Sequence, residues 1–260
     1  MKLRHTILMI AALLVVAACN RGPRVYRPVV DPELLKMSKE QVWENAEQQF
    51  EARKWQRART YYSYVYETYP NDPLGRRSLL RIADTYYRQG GAVNLVEAQY
   101  KYRDFINRYP TSEFADYAML QIAMTAFQQM ESPDRDQQKT REAVEKFDDM
   151  LRVHPNSALK SEALARRQEA LDRLAKHELI VARFYMKRGS WNAALQRLNY
   201  LVDTYPQFSD RAGAFFDLGT TLTRLGRQGE ARLYFERVIS EFPKSDYAEE
   251  ARRRLSALNA

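Results

Sequence analysis

Cysteine is almost absent from this sequence, and its scarcity excludes several kinds of chemistry. The 260 residues include one cysteine, Cys19, and three histidines. One thiol cannot form an intramolecular disulfide, and a structural zinc site built from several thiolates is excluded. Glycine is also scarce, and we find no glycine-rich phosphate loop and no Gly-x-Ser-x-Gly elbow. The sequence therefore predicts a binding protein with no catalytic centre, no metal site and no cofactor.

Long apolar runs are confined to the N-terminus. Lys2 and Arg4 precede an apolar run over residues 7–18, which is too short to span a bilayer and is typical of a secretory signal. The run ends in Val-Ala-Ala-Cys at residues 16–19, a sequence that resembles the bacterial lipobox. This resemblance implies cleavage before Cys19 and a covalent lipid on its thiol. Two or more acyl chains attach a protein lastingly, so we expect a membrane anchor.

Proline is placed at regular positions. Five prolines follow an aromatic residue or a histidine, and an alanine precedes each of them by twelve residues. A second small residue lies further upstream, and large apolar residues follow the alanine at spacings of four and seven, which is one face of a helix. The prolines are Pro70, Pro110, Pro155, Pro206 and Pro243, the alanines are Ala58, Ala98, Ala143, Ala194 and Ala231, and the upstream small residues are Ala46, Ala83, Ala123, Ala182 and Gly219.

This pattern resembles the tetratricopeptide repeat (TPR), a helix hairpin of about 34 residues. Small residues let two helices cross closely, and proline ends the second helix. The two small residues are 12 apart in repeats one, four and five, 15 apart in repeat two and 20 apart in repeat three. We therefore expect longer turns within repeat two, around Gly90 and Gly91, and within repeat three, around residues 130–139.

The predicted fold is all-α, a TPR superhelical solenoid of five helix pairs. Residues 159–187 contain no proline or glycine and predict a long helix that leads into repeat four. The predicted divisions are a signal peptide (1–18), an acylated N-terminus with an extended tether (19–38), repeats one to three (39–158) and repeats four and five (159–260). Arg21, Arg24 and Arg27 of the tether are either solvated or in contact with lipid headgroups.

Stacked TPR hairpins form a concave groove lined by their first helices. Aromatic rings beside guanidinium groups suit an extended peptide that carries aromatic residues and a terminal carboxylate. The alternative is that these side chains cover the groove without a ligand. Counting from the small residues places the following side chains in the groove: Trp43, Glu47, Phe50, Arg77, Asp84, Tyr87 and Arg88.

The two histidines of the predicted mature chain do not indicate a site. His154 occupies the position before Pro155 that Tyr or Phe occupies in the other repeats, which predicts a packing role. His177 lies within the predicted long helix, with no thiolate or second histidine at ligand spacing, and we expect it at a surface or an interface.

Several segments of repeats three and four are similar to one family. Asp-Arg-Asp at 134–136, Val-His-Pro-Asn-Ser at 153–157, Asp-Arg-Leu-Ala-Lys-His-Glu at 172–178 and Lys-Arg-Gly-Ser-Trp at 187–191 resemble the BamD (YfiO) family in order and spacing. These are the TPR lipoproteins of the outer-membrane β-barrel assembly machinery. The resemblance implies a lipoprotein of the outer membrane that faces the periplasm and is not an enzyme.

The resemblance also implies partners. They are a POTRA domain of BamA, other Bam lipoproteins and the C-terminal signals of unfolded outer-membrane β-barrel proteins, whereas nucleic acid is not expected. Arg197 matches the family arginine at the BamA contact, and Arg188 and Trp191 lie in the same hairpin. A structural role for Trp191, at the turn of repeat four, is an equal alternative.

A second functional hypothesis remains open at this point. A TPR envelope lipoprotein that organises peptidoglycan synthesis or cell constriction shares the signal and the Pro-x-Ser turns, although it usually lacks the long helix. A carbohydrate-handling lipoprotein would need an additional domain, for which 260 residues leave no room.

Overall fold

The computed structural model describes residues 32–259, which form two units, one up to Gln41 and one from Val42 onward. In the first unit, a 3₁₀ turn (Leu34–Lys36) precedes the start of the first α-helix. Ser38 and Gln41 cap this helix reciprocally, because each backbone N–H donates to the side chain of the other residue. Cys19, the predicted signal peptide and the three tether arginines lie outside the described residues.

Eleven α-helices make up the described chain, and no strand occurs within residues 32–259. The first ten helices form the five predicted pairs, and the eleventh follows the last pair. The all-α TPR fold is therefore confirmed. The helices are α1 (Lys39–Glu51), α2 (Trp55–Thr68), α3 (Pro73–Gln89), α4 (Ala92–Arg108), α5 (Ala115–Phe127), α6 (Gln138–Val153), α7 (Lys160–Lys187), α8 (Trp191–Thr204), α9 (Arg211–Arg224), α10 (Gln228–Glu241) and α11 (Ala248–Asn259).

The regular positions of the sequence form the core. The nine alanines at the small positions are 0% exposed, as are the large residues four and seven positions after the second alanine of each pair. A methyl group at each crossing lets the two helices approach, and the large side chains fill the space beside it. These large core residues are Tyr62, Val65, Tyr102, Phe105, Phe147, Met150, Leu198, Leu201, Phe235 and Val238.

The prediction of a longer turn in repeat two is wrong. Gly90 and Gly91 alone join α3 to α4, and both have positive φ, 70° and 80°. Glycine adopts this backbone region without a steric penalty, so a two-residue turn is sufficient here. The extra residues of repeat two therefore lengthen its helices, mainly at the start of α4.

The longer turn in repeat three is confirmed, and it crosses onto α7. We call residues 128–137, between α5 and α6, the strap. Arg173 of α7 donates to the carbonyl oxygens of Met130 (3.3 Å) and Glu131 (2.9 Å). His177 Nδ1 lies 2.7 Å from the carbonyl oxygen of Pro133, which can only accept, so the ring carries a hydrogen on Nδ1. The strap is thus held against the middle of the long helix.

The long helix α7 serves two repeats. Its 28 residues match the predicted span closely. Ala163, near its start, belongs to the core cluster of Phe147 and Met150 in repeat three. Leu179 and Ala182, near its end, belong to the core cluster of repeats four and five. The first half of α7 therefore closes repeat three, and the second half is the first helix of repeat four.

Candidate protein-interaction surfaces

The first helices of repeats one and two, which line the predicted groove, carry a charged network. Arg81 donates to both carboxylate oxygens of Glu47, with Nε 3.0 Å from Oε1 and Nη2 2.6 Å from Oε2. Its Nη1 donates to Asp84 Oδ2 at 3.2 Å, and Tyr62 donates its hydroxyl to Glu47 Oε1 at 2.7 Å. Burial favours a higher pKa for Glu47, but the hydrogen bonds from Arg81 and Tyr62 outweigh it, and its pKa lies below the ordinary value. Arg81 is therefore already paired with protein carboxylates.

Two predicted groove residues prove to be buried, and their assignment as ligand contacts is corrected. Asp84 is 5% exposed, and its Oδ1 accepts hydrogen bonds from Tyr102 (2.7 Å) and Tyr117 (2.9 Å). Burial raises the pKa of Asp84, and these bonds oppose the shift only in part. Phe50 is 9% exposed and packs edge-on against the Trp55 ring at 5.2 Å. Phe50 is covered by α2 of its own repeat and by the Arg81 guanidinium, 3.8 Å from its ring centre. Asp84 is covered by α4 of its own repeat and by Tyr117 of repeat three.

The other predicted groove residues remain accessible. Trp43 is half-buried, and the Arg77 guanidinium lies 5.3 Å from the centre of its ring. Tyr87 is half-buried, whereas Arg77 and Arg88 are exposed. No carboxylate of the described residues lies within ion-pair distance of Arg77 or Arg88. Two aromatic rings and two unpaired guanidinium groups therefore remain available to a ligand.

Sequence reasoning missed Arg81 and Tyr117. Arg81 lies two residues before Ala83 and one helical turn before Asp84, so it is on the same helix face as Asp84. Counting positions from Ala83, which selected Asp84, could therefore also have selected Arg81. Tyr117 comes from the next repeat, and nothing in the spacing of repeat two indicates that its hydroxyl reaches Asp84.

The predicted partner residues of repeat four lie on α8 and at the end of α7. Arg197 is exposed, and its Nη1 pairs with Glu178 Oε2 at 3.1 Å. Trp191 is half-buried, with the Arg224 guanidinium 5.7 Å from its ring centre. Arg188 is exposed and stacks on the Phe184 ring at 4.4 Å. Trp191 thus has an intramolecular packing role, and Arg188 and Arg197 are accessible.

Two large apolar side chains beside Arg188 were not predicted. Phe184 is 50% exposed and Ile180 is 37% exposed, and both lie in the second half of α7. They follow Arg173 and His177 on one face of α7, at helical spacing, beyond the end of the strap. The second half of α7 packs against repeats four and five through Leu179 and Ala182, and the described helices leave the face of Ile180 and Phe184 exposed. We call Ile180, Phe184 and Arg188 the bare face of α7.

A second ion pair links the first helices of repeats four and five. Arg183 Nε lies 2.7 Å from Asp217 Oδ2, and Arg183 Nη2 donates to the Tyr247 hydroxyl at 3.1 Å. Burial raises the pKa of Asp217, and the pairing with Arg183 opposes it. The Tyr247 ring lies 5.4 Å from the Phe216 ring, so the segment before α11 is attached to repeat five.

The described part of the chain has neither a metal-binding cluster nor a membrane-spanning helix. Between residues 32 and 259, no group of three His, Cys, Asp or Glu side chains has an arrangement that could hold a metal ion. Among the helices α1 to α11, none combines the length and the apolar character needed to cross a membrane.

Comparisons with known proteins identify the family. A family model described as "YfiO: Outer membrane lipoprotein" matches residues 35–232. The outer membrane protein assembly factor BamD of Neisseria meningitidis is 26% identical over 222 residues, 81% of this chain and 81% of that protein. BamD of Caulobacter vibrioides is 28% identical over 178 residues, 68% of this chain and 57% of that protein.

Solved structures with similar helices are more distant. The match to the TPR2AB domain of yeast Sti1 in its pHSP90 complex covers 85% of this chain and 82% of the Sti1 chain, with 14% identity and a TM-score of 0.46. The match to TTC0263, a TPR protein of Thermus thermophilus, covers 85% of this chain and 98% of the TTC0263 chain, with 17% identity and a TM-score of 0.38. The family match over residues 35–232 is more than half of the sequence, and the chain therefore belongs to the YfiO family of outer membrane lipoproteins.

Proposed function

We propose that this chain is a lipid-anchored TPR scaffold of the outer-membrane β-barrel assembly machinery and that it acts by binding proteins, without catalysis. The observation that carries this proposal is the family match over residues 35–232, together with relatives named outer membrane protein assembly factor BamD. The anchor is the lipid on Cys19, and the repeats face the periplasm.

The groove of repeats one and two binds the C-terminal signal of unfolded β-barrel proteins. Trp43 and Tyr87 offer apolar ring surface, and Arg77 and Arg88 offer guanidinium groups that form no ion pair with a described carboxylate. A peptide with an aromatic residue and a terminal carboxylate complements this set, because guanidinium groups form paired hydrogen bonds with carboxylates. Arg81 contributes less, since Glu47 and Asp84 already neutralise it.

The groove is tested with the double substitution Tyr87→Ala and Arg77→Ala. We expect the affinity for a peptide with a C-terminal aromatic residue to fall by about tenfold or more, because ring contact and charge pairing are both lost. The control is Tyr100→Ala with Arg232→Ala, which removes one exposed tyrosine and one exposed arginine elsewhere. Calorimetric titration measures the affinity and circular dichroism verifies the fold. Equal affinity of both double variants contradicts the groove assignment.

The second half of α7 and α8 dock a POTRA domain of BamA, through Arg188, Trp191 and Arg197. The exposed Phe184 beside Arg188 adds an aromatic anchor of the kind that dominates protein interfaces. Arg197 is paired with Glu178 in the free chain, so an acidic residue of the partner has to compete with this contact. Arg197 therefore contributes mainly specificity, and Phe184 contributes buried apolar area.

Docking is tested by pull-down from solubilised envelopes and by double-mutant cycles. We expect a barrel insertase as the dominant partner and a loss of binding by about tenfold or more for Phe184→Ser, because a buried aromatic anchor is worth at least about 1.4 kcal/mol. Leu233→Ser, at another exposed apolar residue, is the control and retains binding. Cell-wall synthases as dominant partners overturn the proposed function, and a coupling energy of zero between Arg197 and every acidic residue of the partner removes Arg197 from the surface.

A further inference from the structure

A cavity at the junction of repeats two and three is lined by guanidinium groups from two helices. It encloses about 390 Å³ between the start of α3 and the loop that joins α4 to α5. This volume is sufficient for a small ligand or a lipid headgroup. The polar side chains around it are Arg76, Arg77, Arg108, Thr111, Ser112 and Glu113.

The three arginines have N–H donors that make no hydrogen bond to the described residues. No described carboxylate lies within ion-pair distance of Arg76 or Arg77. The Arg77 guanidinium carbon lies 5.3 Å from the centre of the Trp43 ring, and its nitrogen atoms make no hydrogen bond to the described residues. Arg108 donates Nε to Asp104 at 2.8 Å, and its terminal NH₂ groups make no hydrogen bond to the described residues.

The loop side of the cavity is held in place and also offers donors. The Tyr109 hydroxyl donates to the carbonyl oxygen of Pro70 at 2.9 Å, which ties this loop to the preceding turn. Ser112 Oγ accepts the N–H of Phe114 at 3.2 Å, so its own hydroxyl hydrogen remains available. Asp72 caps the start of α3, and the cavity therefore owes its donors to side chains and not to a free helix end.

We propose that this cavity binds a phosphate group. Three guanidinium groups and two hydroxyls outnumber the two carboxylates at this site, Glu113 in the lining and Asp104 paired with Arg108, so the cavity keeps an excess of donors and of positive charge. A carboxylate has two oxygens and one charge and satisfies one guanidinium edge, whereas a phosphate monoester has three terminal oxygens and a charge of about −1.5 to −2 at neutral pH. The ligand is a phosphate ester, carried either by a lipid headgroup or by a small soluble molecule.

The test uses the full chain with Cys19→Ser, so that an acyl chain does not itself cause membrane binding. Two probes separate the two sources: inorganic phosphate, followed by NMR of the arginine side chains, and phosphatidylcholine vesicles doped with phosphatidic acid, followed by co-sedimentation. The cavity variant is Arg76→Gln with Arg108→Gln, which keeps Arg77 and the peptide groove. The control, Arg141→Gln with Arg232→Gln, removes the same charge from exposed arginines elsewhere.

We expect saturable binding that the cavity variant weakens by about tenfold or more and the control retains, because charge-assisted hydrogen bonds are lost in the cavity variant alone. Phosphate-competed binding to doped vesicles identifies a lipid headgroup, and phosphate binding without vesicle binding identifies a soluble ligand. Absence of binding to both probes overturns the proposal, and so does equal weakening by the control variant, which would show general charge attraction. Peptide binding by the cavity variant is measured in parallel, so a failure here is distinct from a failure of the groove.

Discussion

At the residue scale, one of the five helix pairs lacks the alanine methyl group at the upstream side of its crossing point. The upstream small residue is alanine in four repeats and Gly219 in repeat five. A Cβ at residue 219 would lie 2.7 Å from Cε1 of Phe235, so the ring occupies the space that a methyl group fills elsewhere. The repeat pattern predicts a small residue at this position, but the choice between glycine and alanine depends on the rotamer of Phe235, which the pattern does not contain.

This difference gives a prediction. Gly219→Ala should destabilise the chain by about 1–3 kcal/mol, because the added methyl group overlaps a ring in a fully packed core. Gly229→Ala is the matched control: residue 229 lies in α10, nothing lies near the added Cβ, and alanine favours a helix by up to about 1 kcal/mol. Chemical denaturation measures both. A neutral Gly219→Ala would mean that Phe235 can rotate away.

The two carboxylates on either side of Arg81 predict opposite pH dependences. The pKa of Glu47 is lowered in the folded chain, so its stabilising effect is present above its unfolded pKa and is lost as the pH falls through the folded pKa. The pKa of Asp84 is raised, so its favourable effect is present below its unfolded pKa and is lost as the pH rises through the folded pKa.

Conservative substitutions test this pair. Between neutral pH and about pH 3, a range that includes the pH below the ordinary pKa of glutamate, the destabilisation caused by Glu47→Gln should decrease as the pH falls, whereas that caused by Asp84→Asn should increase. Denaturant midpoints measured over this range for both variants and the unchanged chain give the two trends. Parallel trends would contradict the different electrostatic environments assigned to the two carboxylates.

At the element scale, the strap is the feature that the sequence indicated least. Its length followed from the spacing of Ala123 and Ala143, and the long helix followed from the absence of proline and glycine. The contacts of Arg173 and His177 with strap carbonyl oxygens could not be predicted, because backbone acceptors leave no pattern in the sequence. The bare face of α7 was missed for a related reason: exposed and buried apolar residues have the same helical periodicity.

The strap contacts predict a local change in stability. Arg173→Ala with His177→Ala should speed amide hydrogen exchange over residues 128–137, because three hydrogen bonds to strap carbonyl oxygens are lost. Global stability should fall by only about 1–3 kcal/mol, since each bond contributes about 1 kcal/mol. Lys176→Ala, at an exposed residue of the same helix, serves as the control. Unchanged exchange in the strap would show that its own contacts hold it, such as those of the buried Gln137 with Ser132 and Arg135.

For the molecule as a whole, α11 closes the last repeat. Ala251 is fully buried in the core cluster of repeats four and five, and Leu255 and Leu258 pack against that cluster, whereas Arg252 and Arg253 are exposed. A helix with one apolar and one polar face can cover the last helix pair and still present a polar surface. The predicted division of residues 159–260 into repeats four and five alone did not include this helix.

Removal of α11 should therefore destabilise the C-terminal repeats. Ending the chain at Asp246 removes Tyr247, the buried Ala251 and the partly buried Leu255 and Leu258. We expect a loss of at least about 3 kcal/mol from these side chains together, since one fully buried leucine contributes about 1.5–3 kcal/mol. Thermal unfolding followed by circular dichroism measures the loss. The control is Arg252→Ala with Arg253→Ala on the outer face, and an equal effect of control and truncation would show that α11 acts through its charges.

Two ion pairs between the first helices of consecutive repeats occupy equivalent positions with reversed charge. Glu47 directly follows the small residue of repeat one and pairs with Arg81, two residues before the small residue of repeat two. At the same two positions of repeats four and five, Arg183 pairs with Asp217. If repeat five followed repeat one, Glu47 would meet Asp217, and if repeat two followed repeat four, Arg183 would meet Arg81. Like charges in such partly buried positions repel. Charge thus favours the native order of these repeats, and it disfavours stacking out of order, whether within one chain or between two copies.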